Sequence, residues 1–157
     1  MAKQSAGLLV YRRRKGAIEV LLAHPGGPFW AKKDRGAWSI PKGEFTEGEA
    51  PLDAARREFA EEIGQPVPAA AAGGFIALTP VKQPSRKIVH AFAIEGDLAA
   101  ENIQSNLFEM EWPPHSGRMQ SFPEVDRAAW FGLAEARERL QKGQLPILEE
   151  LIARLTR

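Results

Sequence analysis

Residues 51–63 carry two periodic patterns on one short segment, and together they constrain the chain more than any other feature. Leu52, Ala55, Phe59 and Ile63 recur at helical spacing and form an apolar stripe that a helix would bury. Pro51 stands at the start, where a missing N–H costs nothing. Gly64 supplies a stop, and Pro66 and Pro68 prevent continuation. The opposite face carries Glu58, Glu61 and Glu62 at i, i+3 and i+4, which places three carboxylates on adjacent turns. Like charges this close repel unless something positive sits among them. Oxygen-rich clusters of this kind suit hard divalent cations, Mg²⁺ or Mn²⁺. Without a cation, at least one carboxyl should titrate above its usual range. Taken alone, a glutamate-rich helix face is also what a solvated surface looks like.

The rest of the chain reads as strands around this helix. Ala6–Tyr11 is a short apolar run, Arg12–Gly16 a charged turn and Ile18–His24 the returning strand of a hairpin. Residues 25–36 form a long irregular segment carrying Phe29, Trp30, Lys32, Lys33 and Arg35. Aromatics interleaved with cations suit a base or a polyphosphate, and they equally suit a flap folded onto the core. Trp38–Ile40 is a brief strand-like piece. Residues 69–74 are a small-residue connector, and 74–78 and 87–94 read as two more strands. Residues 95–106 are loop, 107–112 a strand, 113–124 irregular and 128–131 a final strand. Two amphipathic helices follow over 133–141 and 147–155, the second opened by Pro146. The expectation is an α+β fold, a mixed sheet between helices, in a single domain over 1–157.

Composition limits the function classes. No cysteine is present, so disulfides, thiolate metal sites and cysteine nucleophiles are excluded. The charge is +1, which argues against a nucleic-acid-coating protein. That balance hides segregation: the net charge is +7 over residues 1–42, −5 over 43–62, +3 over 63–94 and −4 over 95–157. No stretch is apolar enough to span a membrane, so a cytoplasmic protein is expected, as a monomer or a homodimer.

Gly43, Glu49, Arg57, Glu58, Glu61, Glu62 and Gly64 fall in one window, 43–65. Seven such residues at fixed offsets would arise by chance in on the order of one in a million chains. The window resembles the Nudix box, G-x5-E-x7-R-E-U-x-E-E-x-G-U with U apolar. It departs from it at Gln65, which is polar where an aliphatic residue is usual. The Trp38-Ser39-Ile40-Pro41-Lys42-Gly43 approach is similar to that of dinucleoside polyphosphate hydrolases. The 25–36 insertion resembles a bacterial group of predicted nucleoside triphosphate pyrophosphohydrolases.

The resemblance implies an α/β/α sandwich and metal-dependent hydrolysis of a nucleoside diphosphate linked to another moiety. Carried over by position, Glu61 and Glu62 resemble the core metal ligands. Glu58 resembles the residue that ligates metal or orients water, and Gly43 would offer its carbonyl. Arg57 resembles the arginine that holds a helix glutamate, and Glu49 the glutamate that braces the loop. A later carboxylate often completes such sites: Glu124 is the choice, with Glu109 and Glu111 as rivals. Lys42, Lys87 and Trp38 are candidate substrate contacts. Lys82 and Arg86 are weaker ones, and Trp38 and His90 also read as core residues. The expected partner is a nucleotide or polyphosphate. A nucleotide-sensing module without turnover and an RNA 5′-end pyrophosphohydrolase are the alternatives.

Overall fold

A computed structural model describes residues 3–68 and 74–156. The connector expected over 69–74 lies, except for Gly74, outside the described residues. The chain runs β1 (Gln4–Arg14), β2 (Ala17–Pro25), β3 (Lys42–Glu44), α1 (Pro51–Ile63), β4 (Ile76–Ala77), β5 (Val81–Lys82) and β6 (Ile88–Glu95). It continues through β7 (Leu107–Glu111), β8 (Met119–Pro123), β9 (Val125–Gly132), α2 (Leu133–Arg139) and α3 (Leu145–Leu155). One sheet has the order β4-β6-β1-β2-β9, with β3 added to β1 and β5 to β6. Among the described strands β1 and β6 pair in parallel and the other pairings of this sheet are antiparallel, so the sheet is mixed.

Alternation along the strands sorts side chains onto two faces. Ala6, Leu8, Val10 and Leu21 pack with Ala54, Ala55, Phe59 and Ile63 of α1. Leu9, Leu22, Val89 and Ala91 pack with Ala136, Ile147, Leu148 and Leu151 on the other side. The α/β/α sandwich is therefore built by two buried layers. Among the described residues, no helix is long and apolar enough to cross a membrane.

Several boundaries differ from the sequence reading. Arg12–Arg14 are strand residues, paired with Glu19, Ile18 and Ala17; only Lys15 and Gly16, both at positive φ, make the turn. The long antiparallel ladder outweighs the solvated charges. Residues 119–123, read as irregular, form β8 and pair with β7 in a separate hairpin. Their register was hidden because most of β8 is exposed and lacks an apolar alternation. Ser39 makes only an isolated bridge to Ala23, while the strand itself lies at 42–44. Gln65, polar where an aliphatic residue is usual, donates from Nε2 to the carbonyls of Ala99 (2.9 Å) and Asn102 (3.2 Å). A hydrogen-bonded tie to the 3₁₀ turn at Ala100–Asn102 replaces the apolar contact.

Candidate active site

The site grows from the C-terminal half of α1. Gly64 ends the helix at φ 74°, a conformation glycine adopts without a Cβ penalty, and its N–H donates to the Ala60 carbonyl. The last helical carbonyls need partners, and the segment 104–106 supplies them. Gln104 N–H donates to Ile63 O and Asn106 N–H to Glu61 O, both at 2.9 Å. Asn106 O in turn accepts from Glu124 N–H (2.8 Å), and Glu124 O accepts from Gly26 N–H (2.9 Å). One chain of backbone bonds thus registers the glutamate helix, Glu124 and the 25–36 segment against one another.

Arg57 is the fixed counter-charge. Its Nε and Nη2 donate to the two Glu49 oxygens, each at 2.9 Å, and Nη1 reaches Glu58 at 2.8 Å and Glu61 at 3.4 Å. The Glu61 contact expected from i, i+4 spacing is the longest of these; Glu49 takes the bidentate pair. Glu58 is buried and its carboxylate presses on Gly43, where a Cβ would collide with it. The residue type at 43 is therefore set by the carboxylate.

Burial pushes the Glu62 carboxyl up to about 8, with the Glu58 and Glu124 charges adding to the effect. Burial also raises Glu58, against the pull of Arg57. Glu124 is raised by burial and then by the Glu61 charge. Glu62 accepts from the Lys42 backbone N–H at 3.2 Å. Burial lowers the Lys42 ammonium, and Lys87 lowers it further. Glu62, Glu124 and Lys42 line one cavity of about 240 Å³ together with Trp30, Ser39 and Gln141. Among the described residues no three carboxylates already converge as a metal cage; Arg57 Nη1 contacts both Glu58 and Glu61. The donor set is nevertheless all oxygen and mutually repelling, with Glu58, Glu62 and Glu124 raised in pKa, which fits a hard divalent cation.

The later carboxylates separate clearly. Glu124 faces the helix glutamates, whereas Glu111 accepts from the N–H groups of His115 and Gly117 in the β7–β8 hairpin. Glu109 is exposed on β7. Lys87 pairs with Glu44 at 3.4 Å.

Trp38, read both as a candidate substrate contact and as a core residue, sits in the core layer. Its side chain is 3% exposed, its indole N–H donates to Asp34, and its ring packs on Phe131 and His24. It braces the core and offers no face to a substrate. His90 is held by Gln4 and Phe45. Trp30, one of the loop aromatics read as suiting a base or a core-packed flap, reaches the cavity, as do Ser39 of the 38–43 approach and Gln141, which carried no sequence signal.

Residues 1–151 match the NUDIX domain. The chain belongs to the Nudix family. Nudix proteins are mostly pyrophosphohydrolases and typically use divalent metals. Among curated proteins, none matches the chain. Solved structures share the Nudix fold. A Caenorhabditis elegans Ap4A hydrolase binary complex is 22% identical, with TM-score 0.67, covering 99% of this chain and 98% of the other. The NUDIX domain of Shewanella oneidensis NrtR, complexed with ADP ribose, is 18% identical, with TM-score 0.67 and coverage of 99% and 89%. MutT, studied from Aliivibrio salmonicida and Vibrio cholerae, is 16% identical, with TM-score 0.55 and 96% coverage of each chain.

Proposed function

We propose that this Nudix protein, as one domain over its whole length, hydrolyses a pyrophosphate linkage in a nucleoside diphosphate joined to another moiety. A nucleoside triphosphate or a dinucleoside polyphosphate is the favoured substrate. The observation that carries this reading is the convergence of Glu62, Glu124 and Lys42 on one cavity beside the Glu58–Gly43 contact. Acids that repel one another, with a partly buried ammonium among them, suit a cation and a polyphosphate together.

Glu58, Glu61, Glu62, Glu124 and the Gly43 carbonyl would hold Mg²⁺ or Mn²⁺. A bound divalent cation supplies charge neutralisation and acidifies a coordinated water. The chain's own groups do the rest. Arg57 fixes Glu58 and Glu61 through one nitrogen while Glu49 anchors its other two, so the carboxylates keep their orientation without a flexible partner. Lys42 offers a phosphate a cation already stripped of much of its water, and Lys87 adds charge nearby.

The test is a panel of nucleoside triphosphates, dinucleoside polyphosphates and nucleotide sugars with Mg²⁺ and with Mn²⁺, products being identified so that the broken bond is known. Cleavage of any supports the proposal. No cleavage across the panel overturns it and favours a nucleotide-sensing module.

A further inference from the structure

We propose that Trp30 is a specificity-determining residue, the wall against which the nucleobase of the substrate stacks. This rests on the reading of the neighbouring carboxylates as a pyrophosphohydrolase site. Trp30 lines the same cavity as Lys42, Glu62 and Glu124, so a ligand with its phosphates at those residues extends to the indole. The cavity holds about 240 Å³, below the roughly 300–1,000 Å³ of pockets that enclose a whole drug-sized ligand. It therefore admits part of a nucleotide, a planar ring at the Trp30 end and phosphate at the Lys42 end, with the rest of the ligand outside. Ser39 and Gln141 place polar groups in the same wall, which suits the edge of a base.

The indole is held in place by its own segment. Trp30 packs against the core layer that includes Trp38 and Leu140. Its backbone N–H donates to Gly27 O at 3.3 Å, and its backbone carbonyl accepts from Lys33 N–H at 3.0 Å. The segment is pinned on each side of the indole: Gly26 N–H donates to Glu124 O, and His24 Nε2 contacts the Lys33 carbonyl at 2.6 Å. Lys33 Nζ stands 5.2 Å from the ring centroid. A half-buried indole packed on the core and carried by a backbone fixed in this way is pre-organised, which lowers the ordering cost of stacking a base. Phe29, next to it, is 60% exposed and packs edge-on to Trp112, away from the residues that line the cavity. The two loop aromatics are thus divided between the pocket and the β7–β8 hairpin.

The experiment measures binding, with Mg²⁺ present, of AMP, GMP, CMP and UMP against ribose 5-phosphate, which keeps the sugar and phosphate and lacks a base. Base–aromatic stacking contributes about 1–3 kcal/mol, a factor of roughly 5–150. Wild type should prefer at least one nucleotide over ribose 5-phosphate by a factor in that range. Trp30→Ala should bring the preference close to one, and Trp30→Phe should keep most of it. If Trp30→Ala does not fold, Trp30→Leu against Trp30→Phe makes the same comparison of an aliphatic with an aromatic ring. On a cleaved nucleotide, the aliphatic variant should raise KM and leave kcat within about threefold. Unchanged preference in the aliphatic variant overturns the proposal. So does a wild type that binds ribose 5-phosphate as well as all four nucleotides, or binds none of the five. Trp30-dependent binding without turnover would sink the hydrolase reading alone; turnover with Trp30-independent binding would sink this one alone.

Discussion

Glu62 occupies a position where folding and function pull in opposite directions. Burial and two neighbouring acids raise its carboxyl from the ordinary 4.5 to about 8. Between those values the unfolded chain gives up the proton and the folded chain keeps it, so rising pH favours unfolding across that window. Metal-free protein should therefore melt progressively lower from pH 5 to pH 8, and Glu62→Gln should flatten that slope. Saturating Mg²⁺ should offset the loss, because a cation favours the ionised carboxylate. A metal-free melting temperature that rises with pH in wild type and not in the variant would contradict this origin. Turnover should respond in the other direction: Glu61→Gln and Glu62→Gln should each fall at least about a hundredfold, roughly 2.7 kcal/mol of barrier, with the fold intact. Full activity in both would remove them from the metal set. Gly43 gives a sterically argued counterpart. A methyl group there meets the Glu58 carboxylate, so Gly43→Ala should displace that acid and lower kcat at least about tenfold. Circular dichroism of this variant should match wild type, since the displaced group is one side chain.

At the scale of elements, the 25–36 segment is tied down by side chains lying on other elements. His24 of β2 is fully buried, with Nδ1 2.8 Å from Asp126 on β9 and Nε2 2.6 Å from the Lys33 carbonyl. Asp34 accepts from the Trp38 indole and from Arg139 just inside the end of α2. His24→Ala removes two hydrogen bonds and leaves a cavity beneath the segment, so urea unfolding should show a loss of about 2–4 kcal/mol. KM should rise as well, because Lys33 follows Trp30 by three residues. A stability change under 0.5 kcal/mol in urea would show that the segment is held by other contacts. This element also marks where sequence reading stops. The α1 pattern was legible because helical spacing makes i, i+3 and i+4 neighbours in space as well as in sequence. Glu124 could be chosen only by its place before the last strand, since its position depends on the bonds from Asn106 and Gly26. Gln141 carries no local pattern at all, Ser39 only its place in the 38–43 approach, and β8 is illegible because a two-stranded hairpin with little burial leaves no alternation to read. Trp38 left two readings open, substrate contact and core, because an indole beside a phosphate-type motif suits both; its hydrogen bond to Asp34 and its burial place it in the core.

Across the whole molecule, folding rearranges the charge pattern of the linear chain. Residues 1–42 carry +7, which along the sequence suggests a broad basic surface for phosphate. Much of it is cancelled by acids brought in from distant segments. Arg12 bonds Glu19 and Asp97, Arg13 approaches Glu95, Arg14 approaches Asp97, and Arg35 pairs with Glu138. Arg12 also lies over the Trp130 ring at 4.1 Å, on the side of the sheet that packs against α1. What stays near the carboxylates is Lys42 with Lys87, and Lys87 is shared with Glu44. Two outcomes follow from this placement. Replacing Arg12, Arg13 and Arg14 together by Gln should leave KM for a polyphosphate substrate within about twofold, while lowering stability modestly through the lost ion pairs. Lys42→Met should raise KM at least about tenfold, because a partly buried ammonium contributes more to phosphate binding than an exposed one. Salt distinguishes the two sources of charge. Exposed cations are screened over about 8 Å at physiological ionic strength, whereas buried pairs are screened much less. Wild-type KM should consequently rise only slightly between low and moderate salt. A steep salt dependence abolished by the triple-arginine variant would return the binding surface to the N-terminal strand and away from Lys42.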